Sequence, residues 1–147
     1  MSATHIPAAL RRLVRDRAGG RCEYCLIPES VTLAAHALDH VVAEKHGGPT
    51  VAENLALSCT ICNGHKGSDL TSIDPATGAI VPLFHPRRDR WADCFRLAGG
   101  RIEPLTPTGR VTVRLLQLNH PDRVTERELL AATGVIGPPE EGASQGI

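Results

Sequence analysis

The chain has 147 residues, in which sixteen basic residues balance sixteen acidic ones. That length suits one domain with a modest core. The charge balance excludes a uniformly basic protein that coats nucleic acid, so any such contact must use local clusters, Arg11, Arg12, Arg15 and Arg17 or Arg87, Arg88 and Arg90, each of which alone reads as a solvated face.

In chain order, residues 6–18 show Leu10, Leu13 and Val14 at helical spacing, with Gly19 and Gly20 as a stop. A turn holding Cys22 and Cys25 follows. Residues 33–43, rich in β-branched and small apolar side chains, are expected to form a strand. Residues 45–53, with Gly47, Gly48 and Pro49, form a loop, and residues 55–57 a short second strand. Cys59 opens a helix running to about Ser68. Beyond it, one hairpin is expected around Pro75 and Gly78, and another turns at Gly99 and Gly100. Residues 106–119 look helical, with Val111, Leu115 and Leu118 on one side, and a last helix starts at Pro121 or Asp122. Residues 1–135 form a single domain with its core at 20–70, and residues 136–147 are expected to be a disordered tail. The N-terminal stretch has no basic start leading into a long apolar run, and no segment is apolar enough to cross a membrane. The expectation is a soluble cytosolic protein.

Aromatic residues are few: Tyr24, Phe84, Trp91 and Phe95. A core of small side chains invites a metal staple. Four of the five cysteines supply one, as Cys22-Glu-Tyr-Cys25 and Cys59-Thr-Ile-Cys62. Two residues between the thiols let both sulfurs reach one ion from a tight turn, and two such pairs close a tetrahedral structural zinc site. A redox role is disfavoured because it leaves the second pair unexplained. A closed four-sulfur site has no open position for substrate, so chemistry belongs between the pairs.

There the chain places Asp39 and His40 side by side, Asn54 before the second strand, and Asn63 directly after the last cysteine. Histidine is the natural base near neutral pH, and a carboxylate and an amide oxygen are hard ligands suited to Mg²⁺ or Mn²⁺. Neighbouring side chains on a strand point to opposite faces, so Asp39 and His40 converge only if the strand twists or bends.

The run CEYC … LDHVVAEKHGG … ENLALSCTICNGHKG resembles the HNH endonuclease family, whose active site is a ββα-metal unit. The likeness is firm over residues 22–67 and less specific to about residue 130. It implies an α+β fold: a ββα-metal, treble-clef-like core with a four-cysteine zinc site, flanked by an N-terminal helix and C-terminal hairpins and helices. It also implies hydrolysis of DNA with 3′-hydroxyl and 5′-phosphate products. By that resemblance His40 is the general base, Asp39 binds the catalytic Mg²⁺ or Mn²⁺, Asn54 holds the loop and orients His40, and Asn63 is the second metal ligand. His65 is the alternative ligand. The two lie about 200° apart on a helix and are not expected to share one ion; the family's CN-x-x-K form favours Asn63. The rival reading is a non-catalytic zinc-stabilised module that binds nucleic acid or protein, against which stands the presence of all four polar residues together.

Outside this set, His36 is read as a structural histidine and His46 as a loop residue. Cys94 stands where the resemblance suggests histidine, and is read as a small buried side chain. His85 with Arg87 and Arg88 is a minor candidate for gripping phosphate. With no specificity module in sight, low sequence specificity is expected. The residues do not separate DNA from RNA or nicking from double-strand cleavage, and the oligomeric state, a dimer included, stays open.

Overall fold

The computed structural model describes residues 4–137. Helix α1 (Ala8–Ala18) ends on Gly19, whose left-handed backbone (φ 64°) lets the next amides cap the last carbonyls. The first cysteine turn follows. The hairpin of β1 (Ala37–His40) and β2 (Leu55–Ser58) is antiparallel, with Asp39 opposite Ala56 and His40 opposite Leu55. Helix α2 (Thr60–Lys66) starts directly after Cys59. The remainder is α+β in character. Two further antiparallel hairpins, β3 (Thr71–Ile73) with β4 (Ile80–Pro82) and β5 (Phe95–Ala98) with β6 (Arg101–Pro104), alternate with the short α3 (Trp91–Cys94) and with helices α4 (Pro107–Leu115) and α5 (Pro121–Ala132).

The first strand is shorter than the sequence suggests. Its partner β2 offers four residues, so only four pair. Upstream, the chain is held by a 3₁₀ turn at Glu29–Val31 and by the Glu29 carboxylate, which accepts the backbone N–H of His36 at 2.7 Å. Helix α2 stops at Lys66, not Ser68, because Gly67 turns out of helical geometry. Helix α4 stops at Leu115. Gln117 takes φ 52°, and Leu118 reaches the core from outside the helix.

Two apolar clusters hold these elements. Ile6, Val14, Leu55 and Leu57 pack α1 against the β1–β2 hairpin. The larger cluster gathers the cysteines with Ile27, Ile102, Leu116 and Leu118, and with all four aromatic residues. Their rings meet edge-on or tilted, with centroids 6.1 Å apart for Tyr24–Phe84, 5.3 Å for Phe84–Phe95 and 5.1 Å for Trp91–Phe95. Ile136, at the start of the expected tail, is buried in this cluster; residues 138–147 lie outside the described residues. The β3–β4 hairpin is tied to α4 by Asp74, which accepts from Arg110 through both oxygens at 2.9 and 2.8 Å. Arg127 is buried and ties α5 to the last hairpin through the Gly100 carbonyl and to the segment after α4 through that of Leu118. Among the described residues no helix is long and apolar enough to cross a membrane.

Candidate active site and zinc cluster

The two cysteine turns have the same local build. The Sγ of Cys22 accepts the N–H of Cys25 at 3.5 Å, and the Sγ of Cys59 accepts the N–H of Cys62 at 3.4 Å, at the head of α2. A two-residue gap makes this possible, because it folds the second amide back onto the first sulfur. Glu23 stitches the first turn to β2: its N–H donates to the Leu57 carbonyl, and its carboxylate accepts the Leu57 N–H, both at 2.8 Å. All four sulfurs therefore lie within 4.8 Å of one another, and all are buried. Crowding thiols this way splits their acidity. The neighbouring sulfurs, Cys22 first, hold the Cys59 thiol far below its usual range and push Cys25 and Cys62 well above it. Four buried thiol sulfurs at tetrahedral reach fit a zinc ion, which would replace the shared protons.

One hairpin away, β1 ends at His40 and the chain bends at residues 41–42. Asp39 and His40 both lie in the paired strand before this bend, opposite Ala56 and Leu55. Both line one cavity of about 560 Å³, together with Asn63, Glu44, Lys45 and Ser68. His40 Nε2 lies 2.9 Å from the Thr50 hydroxyl and 4.0 Å from Glu44.

Asp39 is 7% exposed. Its Oδ2 accepts from the Tyr24 hydroxyl at 3.2 Å and lies 3.1 Å from Lys66 Nζ, itself 2% exposed. Burial raises the Asp39 carboxyl, and the Lys66 charge opposes that rise. Burial also lifts Tyr24 well above its usual range, with Asp39 reinforcing it, so the phenol stays a donor. Among the described residues, the side-chain partners of Asp39, Tyr24 and Lys66, both meet Oδ2. Oδ1, on a residue that lines the cavity, suits a hard cation, as does the Asn63 amide oxygen.

Asn54 is buried beneath the loop. Its Oδ1 accepts the Val42 N–H at 3.0 Å, and its Nδ2 donates to the carbonyls of Val42 and Pro49, each at 2.9 Å. It does not line the cavity.

Sequence reading assigned no function to Tyr24 or Lys66. Tyr24 lies inside the first cysteine pair and Lys66 one helical turn after the last cysteine, on the side of Asn63. His65 lies elsewhere, in a separate cavity of about 280 Å³ with Ile61, Gln117, His120, Asp122 and Arg123. His36 is buried, with Nε2 2.9 Å from the Ile27 carbonyl, and His46 is exposed in the loop. Cys94 is buried in the core.

The basic clusters are largely spent on structure. Arg17 donates to the carbonyls of Ala52 and Leu55 at 3.0 and 2.7 Å, and Arg15 pairs with Glu29 at 3.3 Å. Arg87 forms a buried ion pair with Glu23, and the His85 ring accepts the Arg87 N–H at 3.1 Å. The minor candidate for gripping phosphate, His85 with Arg87 and Arg88, thus has Arg87 buried against Glu23 within the fold.

No curated protein and no solved structure matches the chain. A family match does cover residues 22–69, the stretch that holds both cysteine turns, the β1–β2 hairpin and α2. The matching family is the HNH endonuclease family, and the four clustered cysteines lie within the matched residues.

Proposed function

We propose that this protein is an HNH endonuclease that hydrolyses DNA phosphodiester bonds with Mg²⁺ or Mn²⁺, around a structural zinc. The observation that carries the reading is the convergence of Asp39, His40 and Asn63 on one open cavity beside the four-cysteine cluster. A module that only binds nucleic acid has no need of a base and two hard oxygen donors at one place.

Asp39, through Oδ1, and Asn63, through its amide oxygen, would hold the divalent ion. When bound, such an ion supplies Lewis-acid stabilisation of charge on the phosphate and on the departing oxygen. The imidazole of His40 takes a proton from water as the water oxygen bonds to phosphorus. The phosphorus–O3′ bond breaks, leaving a 5′-phosphate and, once solvent protonates it, a 3′-hydroxyl. Thr50, 2.9 Å from His40 Nε2, fixes the ring. Asn54 holds the loop that carries Thr50. Low sequence specificity, with binding that weakens as salt rises, is part of the same reading.

The test is cleavage of supercoiled plasmid by purified protein with Mg²⁺, Mn²⁺ or chelator, wild type beside His40→Ala. Metal-dependent nicking or linearisation that disappears in the variant is the expected result. An intact plasmid with folded, zinc-bound wild type would overturn the reading in favour of a binding module.

A further inference from the structure

We infer that Tyr24 and Lys66 are positioning residues that couple the zinc cluster to the divalent-cation site, by fixing one oxygen of Asp39 and leaving the other for the ion. This rests on the reading of Asp39 as a cation ligand.

Both partners of Asp39 Oδ2 hang on the cysteine turns. Tyr24 lies between Cys22 and Cys25, and its hydroxyl reaches Oδ2 at 3.2 Å. Lys66 lies one turn after Cys62 on α2, and its Nζ stands 3.1 Å from the same oxygen. Each comes from a different half of the four-sulfur cluster, so Oδ2 is held from two sides only while the halves are joined. Both anchors are nearly water-free: Tyr24 is 1% exposed and Lys66 2%. Neither has freedom to follow a displaced carboxylate. Lys66 also reaches the His40 carbonyl at 3.4 Å, so the same ammonium ties down the end of β1. An ammonium buried against a carboxylate is costly to desolvate, and replacing such a pair with apolar groups is often neutral or stabilising. Its presence here is explained by orientation. With Oδ2 engaged twice, Asp39 meets a cation through Oδ1 alone, as a one-oxygen ligand of fixed direction. The partners of a metal-binding carboxylate commonly carry much of the site's affinity.

The experiment is Mn²⁺ titration of the full zinc-loaded chain, followed by electron paramagnetic resonance of free Mn²⁺, with zinc content and thermal melting measured on the same samples. Asp39→Asn is the reference. Wild-type Mn²⁺ binding in that variant would overturn the cation site itself, and with it the proposed function. Given its loss there, Tyr24→Phe and Lys66→Gln, with zinc retained, are each expected to weaken Mn²⁺ by roughly ten-fold or more. Plasmid cleavage by Tyr24→Phe should recover at high Mn²⁺, because the base and both ligands remain. Unchanged Mn²⁺ affinity in both variants would overturn the coupling and leave the cation site standing.

Discussion

The side-chain amide of Asn54 meets both backbone groups of Val42, accepting its N–H at 3.0 Å and donating to its carbonyl at 2.9 Å. One side chain thus continues the β1–β2 ladder past its last pair and closes the intervening loop. Replacing it by alanine leaves these groups and the Pro49 carbonyl without their partner, at about 1–3 kcal/mol for each that stays buried. Urea denaturation of zinc-loaded Asn54→Ala should show a lower midpoint than wild type.

Gly48 is packed where no side chain fits. A Cβ there would stand 1.7 Å from the Val42 carbonyl oxygen and 2.9 Å from Asn54 Nδ2. Gly48→Ala must push the loop away from Asn54, which costs roughly 1–3 kcal/mol as overpacking does. Thr50 moves with that loop, so cleavage should fall as well. Denaturation and plasmid nicking on one preparation check both.

Asn63 and His65 line different cavities, so their alanine variants should behave differently. Partners one layer removed from a metal are already worth about 10–100-fold, so losing a direct ligand should lower Mn²⁺ affinity at least about ten-fold. Asn63→Ala is expected to show that loss and His65→Ala to bind and cleave as wild type. The reverse pattern would move the ligand to His65.

Zinc removal should unfold the core. The four sulfurs join the first turn, β2 and α2, and the aromatic cluster packs on them. Binding of a structural zinc is folding free energy in small domains of this kind. Cys25→Ser, or a strong chelator on wild type, should abolish the cooperative thermal transition followed by circular dichroism, with zinc content falling in parallel.

Asp74 supplies a pH signature away from the site. The hydrogen bonds from Arg110, helped by the Ala76 N–H, hold its carboxyl well below the usual carboxylate range. A carboxyl lowered in the folded state adds stability above its unfolded pKa of about 3.9 and loses it as pH falls through the folded value. The stability gap between wild type and Asp74→Asn should therefore be full near neutral pH and close below about pH 4. Urea titrations of both proteins at several pH values test this, since zinc loss in acid is common to the two.

Much of the candidate site's geometry was legible because it is written as short spacings. Two residues between cysteines make a turn that holds two sulfurs, and Asn63 follows its cysteine directly into a helix. That Asp39 and His40 line one cavity while both are paired in β1 is not legible from local spacing. Tyr24 and Lys66 were hidden for a different reason. Their partner Asp39 lies 15 and 27 residues away, and only the joining of the cysteine halves brings them to it. The arginines misled in the same way. Arg17 and Arg87 look like surface charge until distant acceptors, the carbonyls of Ala52 and Leu55 and the carboxylate of Glu23, are folded against them. Strand length was overestimated because a β1 of eleven residues would need a partner that β2, at four, cannot supply.

The chain's one tryptophan is buried, and its indole N–H donates to the Tyr24 carbonyl at 3.1 Å, inside the first cysteine turn. Nature has thereby installed a native optical probe on the stretch that joins the four-cysteine cluster to Asp39. Opening that turn would expose the indole to water and break its hydrogen bond, so a red shift of its emission reports the opening directly. Every chelation, refolding and variant experiment on this protein can be followed in real time without attaching a dye.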